Sequence, residues 1–181
     1  MSTLIALHNR ALNTASLALQ NWFVPTLARF ALASTLLFFF WNSALTKLGD
    51  GLLGIFSPSV GAYAQIFPKQ MEAAGYDPSQ LSFFHTLIVL AGTYAEFLLP
   101  ALVVLGLLTR LSALAMIGFV FVMSFVDITG HGLDTKSIGA IFDRDPYGLI
   151  ADQRLLWVTL LLVLVAQGGG PFSLDRLLRL R

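Results

Sequence analysis

Apolar residues gather into four runs along the 181-residue chain, separated by two long connections and one short one. The first, about 24–45, is interrupted only by Arg29, Asn42 and a few hydroxyls, and its length suits a hydrocarbon core of roughly 30 Å. The second, about 78–108, begins after Asp77, which can cap a helix, at Pro78, which can take its first position. The third, about 111–128, follows a turn around Thr109-Arg110 too short for anything but an antiparallel neighbour. The fourth, about 153–167 with Asp152 as a cap, would measure about 23 Å at the α-helical rise, so it needs thinned lipid or longer neighbours. A buried helix of a soluble domain is the competing reading of that fourth run.

Between the first two runs, Val60, Ala64, Phe67, Met71 and Ala74 recur at helical spacing and are interrupted by Pro68. This pattern predicts a broken amphipathic helix on the membrane surface. After the breaker Gly168-Gly169-Gly170-Pro171, the stretch SLDRLLRLR sets leucines against three arginines, which predicts an amphipathic tail over 172–181 facing anionic headgroups. No internal repeat or linker divides residues 1–181, so the chain reads as one domain. The fold predicted is all-α and integral to the membrane: a four-transmembrane-helix antiparallel bundle with an amphipathic surface segment between helices 1 and 2.

Composition supports the membrane reading, since 56% of residues are hydrophobic and only 12% charged, about half the charge of a soluble domain. The lack of cysteine removes disulfides, thiolate-held clusters and thiol catalysis. A net charge of +1 argues against a nucleic-acid partner. Met1–Asn21 lacks the compact apolar stretch of a cleavable signal peptide. Arg10, Arg29, Arg110, Arg176, Arg179 and Arg181 fall on one side of the predicted bundle, and Lys47, Lys69, Lys136, Arg144 and Arg154 on the other. The counts nearly balance, but the first set sits in short segments, which favours cytoplasmic termini.

An ionisable residue inside a span is expensive and points to a site. Glu96 is such a residue, and His85 and Gly92 share its helical stripe, His85 about 16 Å away along the axis. Pro100 cannot donate to the carbonyl of Glu96, leaving a second acceptor at that depth. Thr35, Asn42 and Thr46 share a face of the first run, and Ser124, Asp127 and His131 one of the third. Turning all three stripes inward would build a polar cleft lined by Asn42, His85, Glu96, Asp127 and His131. A carboxyl there without a cationic partner is expected to be a neutral hydrogen-bond donor. Arg29, about 10 Å from Glu96 along the bundle axis, either snorkels to headgroups or contacts the cleft. Glu96 and His85 are the candidate catalytic pair, with Asn42, Arg29, Asp127 and His131 as candidate cofactor ligands. The plainer alternatives are interhelical glue for Glu96 and solvated or capping roles for the two histidines. Asp127, His131 and Asp134 are ligand types suited to zinc or copper, but their spacing matches no metal motif, and neither metal nor haem is expected.

Several pieces resemble the DoxX family of small four-span membrane proteins. Arg29 opens the first span and Lys47-Leu48 closes it, Ala95-Glu96 lies inside the second, Gly106–Arg110 ends it, and Gly168–Asp175 forms a glycine-rich turn with Ser-Leu-Asp. The resemblance covers Arg29 to Asp175. Two departures, Ala44 where glycine is usual and Gly-Gly-Gly-Pro where Gly-Pro-Gly is usual, touch helix packing. The resemblance implies a component of bacterial redox systems in the inner membrane, some members being subunits of quinone-linked oxidoreductases that act on sulfur compounds. The tract ITGHGLD with FDRDPYGLIADQRLLW also looks like members that accompany the biogenesis of small metal-binding peptides, implying a supporting role in metal or oxidative stress.

Three functions follow as expectations. The chain is a quinone-interacting redox subunit, not catalytic alone, working with a protein partner or as a homo-oligomer in lipid. Or it is a scaffold for assembly whose polar stripes only join helices. A small-molecule or metal-ion carrier is the third reading, and four short spans without a repeat favour it least.

Overall fold

Each apolar run forms a helix, but the helix ends differ from the runs. The computed structural model describes residues 2–51 and 53–180; Arg181, counted above with the termini, lies outside the described residues. Helix α1 (Thr3–Lys47) is continuous for 45 residues, so the first run is its C-terminal half. Two π-helical turns interrupt it, Leu19–Phe23 and Ala33–Leu37. The first ends two residues before Pro25, where the chain lacks an N–H to give to the preceding turn. Burial also begins there, since residues 3–17 are exposed and Pro25 is buried.

From Pro25 onward the buried face of α1 is Ala28, Leu32, Leu36, Phe40, Ala44 and Lys47. Steps of four residues drift around an ordinary α-helix, and the wider turn at Ala33–Leu37 resets the phase. The same face therefore stays inward, and the expected Thr35, Asn42 and Thr46 stripe points out. Thr35 and Thr46 have no need of an interior partner, because their hydroxyls donate to the carbonyls of Ala31 and Ser43 at 2.7 Å.

The surface segment is broken as predicted, into α2 (Val60–Ile66) and α3 (Pro68–Ala73). Asp77 does not cap the second span. Its carboxylate accepts from the N–H of Ser79 at 2.9 Å, closing only a short 3-10 turn, and the chain runs extended at Leu81 before α4 (Phe83–Leu105) begins. The Asx turn satisfies locally the cap that would have started a longer helix. Helix α4 ends at Gly106 in the left-handed conformation, φ 68°.

Helix α5 (Thr109–Gly130) crosses back, α6 (Thr135–Ile138) is one turn, and α7 (Leu149–Gln167) is the last crossing. At 19 residues α7 reaches about 28 Å, so the thinned lipid expected for a shorter helix is not required. Asp152 lies inside its first turn and accepts from the N–H of Gly148 at 2.8 Å instead of standing as the cap. The tail forms only α8 (Leu174–Leu177), capped by Ser173.

The four long helices form a ring in which α1 packs on α4, α4 on α5, α5 on α7 and α7 on α1. Its centre is Leu32, Leu36 and Phe40 of α1 against Val103 of α4, Met116 and Val120 of α5, and Trp157, Leu161 and Leu164 of α7. A second cluster, Ala62, Tyr63 and Met71 on Val89, seats α2 and α3 against α4, and Tyr63 donates to the hydroxyl of Thr86 at 2.9 Å. The described residues contain no strand beyond an isolated bridge between Leu48 and Pro58. The protein is thus a mostly helical bundle with, among the described residues, four helices long and apolar enough to span a membrane.

Candidate functional site

Lys47 ends α1, and its side chain turns back along the helix it closes. Its ammonium donates to the hydroxyl of Ser43 at 2.7 Å, to the Ser43 carbonyl at 3.3 Å and to Oε2 of Glu96 at 2.7 Å. Lys47 is 2% exposed and Glu96 6%. The expectation of a Glu96 without a cation is therefore corrected: a buried ion pair joins α1 to α4. A charge taken out of water is better tolerated when its partner comes with it.

A second pair faces the same space. Arg154, buried at the start of α7, donates through one terminal nitrogen to Asp127 of α5 and through the other to the Ser124 hydroxyl at 2.8 Å. Between the two pairs lies a cavity of about 260 Å³, with contributions from all four spans and α2. Phe39, Ile88, Phe119, Val122 and Met123 form its apolar walls, Lys47, Glu96, Asp127 and Arg154 its charges, and Gln65 with Ile66 reaches it from α2. Gly92 sits one turn from Glu96, and a Cβ there would lie 3.3 Å from the end of the Ile66 side chain, so its small size lets α2 seat closely. Trp41 Nε1 donates to the carbonyl of Phe97 at 3.0 Å, fixing α1 against α4 beside Glu96.

Of the six residues expected to form the site, the structure brings two together, Glu96 and Asp127. His85 lies outside the cavity lining, with Nδ1 2.8 Å from the Ser82 hydroxyl and its ring edge-on to Phe67 at 4.7 Å between centroids. Nε2 of His131 stands 2.9 Å from the carbonyl of Gln65. Both histidines brace the surface segment that reaches the cavity. Asn42 is exposed on the outer side of α1. Asp127, His131 and Asp134 do not converge, since Asp134 turns instead to the N–H and hydroxyl of Ser137.

Arg29 does not reach the cleft. At the other end of the bundle its guanidinium donates to the carbonyls of Val103 (3.2 Å), Val104, Gly169 (3.0 Å) and Phe172 (2.7 Å). Val103 and Val104 lie in the last turn of α4, where helical donors run short, and the Val103 carbonyl takes the Gly106 N–H at 3.2 Å as well as Arg29. A planar fork of donors suits such a cluster, and it holds the start of the first crossing beside the end of the fourth. Asp175 completes this end by accepting from the N–H groups of Leu108 (2.6 Å) and Thr109 (2.8 Å) and from the Thr109 hydroxyl (2.6 Å) at the start of α5. Gly106 is required where they meet, because a Cβ there would stand 2.5 Å from Ser173 and 2.9 Å from Arg29.

Lys47, Ser43 and Arg154 are the residues that sequence reasoning missed. Two acids on interior stripes called for two buried cations. By position along the chain both cations stand at the aqueous ends of their spans, and only their long side chains bring the charge inward. The DoxX family model matches residues 24–127, which include Lys47, Glu96 and Asp127. No curated protein and no solved structure matches the chain.

Proposed function

The match spans more than half the chain, so the protein belongs to the DoxX family, and from that membership we propose that this multi-pass membrane protein is a subunit of a bacterial redox system whose charged cleft receives a quinone head group. The observation that carries this reading is the cavity itself: apolar walls drawn from the spans, with two cations and two carboxylates in the same lining. Its chemistry suits a quinone, whose ring is apolar and whose carbonyls are acceptors. Arg154 lines the cavity with its Nε buried and without an acceptor among the described residues. Lys47 and Arg154 would hold the carbonyl oxygens, and Phe39 and Phe119 would flank the ring.

Bound, a quinone supplies a two-electron, two-proton couple. Glu96 would hold a proton at Oε2 once Lys47 turns from it toward the cavity, and Asp127 would do the same opposite Arg154. Electrons would come from a protein partner. The reading places the chain in the inner membrane with cytoplasmic termini.

A scaffold role is the second reading, and one observation favours it: each ion pair joins two neighbouring spans, Lys47 to Glu96 and Asp127 to Arg154. Glu96→Gln separates the two. Glutamine keeps the size and an acceptor for Lys47 but removes the titratable proton. The protein is purified from native membranes, extracted for quinone and followed by ultraviolet–visible absorbance, with quinone-dependent turnover of the intact complex read across pH. Quinone in the wild-type extract, with turnover and its pH profile altered by Glu96→Gln in a folded chain, is the expected result. No quinone in either protein and an unchanged profile would leave the scaffold reading.

A further inference from the structure

At the end of the bundle opposite the cleft lies a second concavity, of about 500 Å³, between the α4–α5 turn and the glycine turn that follows α7. It is lined by Thr109 and Arg110 from the start of α5, Gly168 and Gly169 from the turn, and Asp175 and Arg176 from α8. The turn is fixed closely in place: a Cβ on Gly169 would come within 2.6 Å of both Thr109 Oγ1 and Ser173 Cβ. Gly168, at φ 78°, leaves space that the Arg110 side chain approaches, its Nε 3.6 Å from where a Cβ would stand.

The charges here divide by whether they are already engaged. Asp175 has both oxygens on the N–H groups and hydroxyl that start α5, and Arg29 has its donors on four carbonyls. Arg110 and Arg176 are exposed, and neither side chain makes an ion pair among the described residues. Two guanidinium groups on one cavity repel each other unless an anion sits between them. Guanidinium is also the side-chain group whose forked donors fit phosphate oxygens.

Depth and surroundings name the kind of anion. Helix α4 ends at Leu105, α5 begins at Thr109 and α7 ends at Gln167, so the concavity sits where three spans leave the hydrocarbon. Leu108, Leu111 and Leu180 line it and are exposed at 48%, 65% and 43%. A lining that places two free guanidinium groups beside exposed leucines suits a phosphate joined to an acyl chain.

We propose that this concavity is a site for the phosphate headgroup of an anionic phospholipid, with Arg110 and Arg176 as its two cations and Leu111 beside the acyl chain. This goes beyond a general attraction of the basic tail to headgroups, because Arg110 belongs to a span and Arg179, in the tail, lies outside the lining. It is also independent of the quinone reading, whose cleft is at the other end.

The test uses the full chain in nanodiscs of phosphatidylcholine with a minor fraction of phosphatidylglycerol, followed by transfer to mild detergent and mass spectrometry of the retained lipid. Phosphatidylglycerol should be enriched over its share of the disc. Arg110→Gln and Arg176→Gln should each lower that enrichment about tenfold or more, as loss of a charged hydrogen bond to phosphate does, while Arg179→Gln, which loses only the general surface attraction, lowers it about fivefold at most. Melting in detergent without lipid, in phosphate against chloride at matched ionic strength, forms the second arm. A phosphate-specific rise that Arg110→Gln abolishes, without lipid enrichment, would assign the site to soluble phosphate and overturn the lipid. No enrichment, or equal loss with Arg179→Gln, would overturn the site itself. Arg176 is exposed on α8, so Arg176→Gln carries the test if Arg110→Gln fails to fold.

Discussion

Lys47 and Glu96 meet side chain to side chain inside the cleft, whereas Arg29 and Asp175, at the opposite end, turn their charge onto backbone groups. Both ends use one cation and one acid from elements far apart in sequence, yet they differ in what can change. Carbonyls and N–H groups at helix ends do not titrate or move independently, so a guanidinium on four carbonyls can only hold a turn. A carboxylate on an ammonium can be protonated, exchanged or opened toward a ligand. Arg29 and Asp175 therefore read as structural, while the Lys47–Glu96 and Arg154–Asp127 pairs border space that a ligand can enter.

Breaking the cleft pair should have the largest effect. Lys47→Met leaves Glu96 buried and unpaired, a loss that typically costs about 3–5 kcal/mol, read by melting or denaturant titration in detergent. Adding Glu96→Gln in the same chain should recover most of it, since the second change removes the stranded charge. A single variant as stable as the wild type would show that the pair holds nothing in place.

Arg29→Lys tests the opposite end and should come next. An ammonium keeps the charge but cannot spread donors over Val103, Val104, Gly169 and Phe172, so about 2–3 kcal/mol should go with the lost charged hydrogen bonds. The same variant should retain whatever quinone the wild type retains. Loss of quinone at unchanged stability would reverse the division drawn between the two ends.

The smallest effect belongs to an acid that faces water. Asp134 caps α6, and the hydroxyl and N–H of Ser137 hold its carboxyl below the ordinary carboxylate range. A lowered value in the folded state gives a stabilisation present above the ordinary carboxylate pKa that fades as pH falls through the lowered one. Ser137→Ala should move the Asp134 titration upward toward the ordinary range in carbon-detected NMR, with little change in melting. An unmoved titration would mean that the cap does not set it.

Much of the architecture was legible in the residues. The four apolar runs, the break at Pro68 and the expense of Glu96 all follow from local composition and spacing, whereas the turn expected around Thr109-Arg110 falls one step earlier, at Gly106–Leu108, because Gly106 takes the left-handed conformation and Thr109 already opens α5. Asn42 and Arg29 show where that reading fails. Turning Asn42 inward assumes that polar stripes meet, but Thr35, Asn42 and Thr46 keep their common face and point it outward, because Ala28, Leu32, Leu36, Phe40 and Ala44 hold the inner one. Depth alone does not place Arg29, because its partners are backbone carbonyls, which every residue has and which no side-chain pattern marks. The histidines share their stripes with Glu96 and Asp127, but lie one turn too far toward the surface segment.

By itself, then, the sequence determined which segments enter the hydrocarbon and which acids would be costly there, because transfer from water depends on each residue's own chemistry. The tertiary structure decided which cations answer them. Lys47 lies 49 positions from Glu96, and Arg154 lies 27 from Asp127. Only the ring of four helices brings those distances down to hydrogen-bonding contact, because the phase of each helix and the reach of a long side chain back along it are settled by packing and not by spacing.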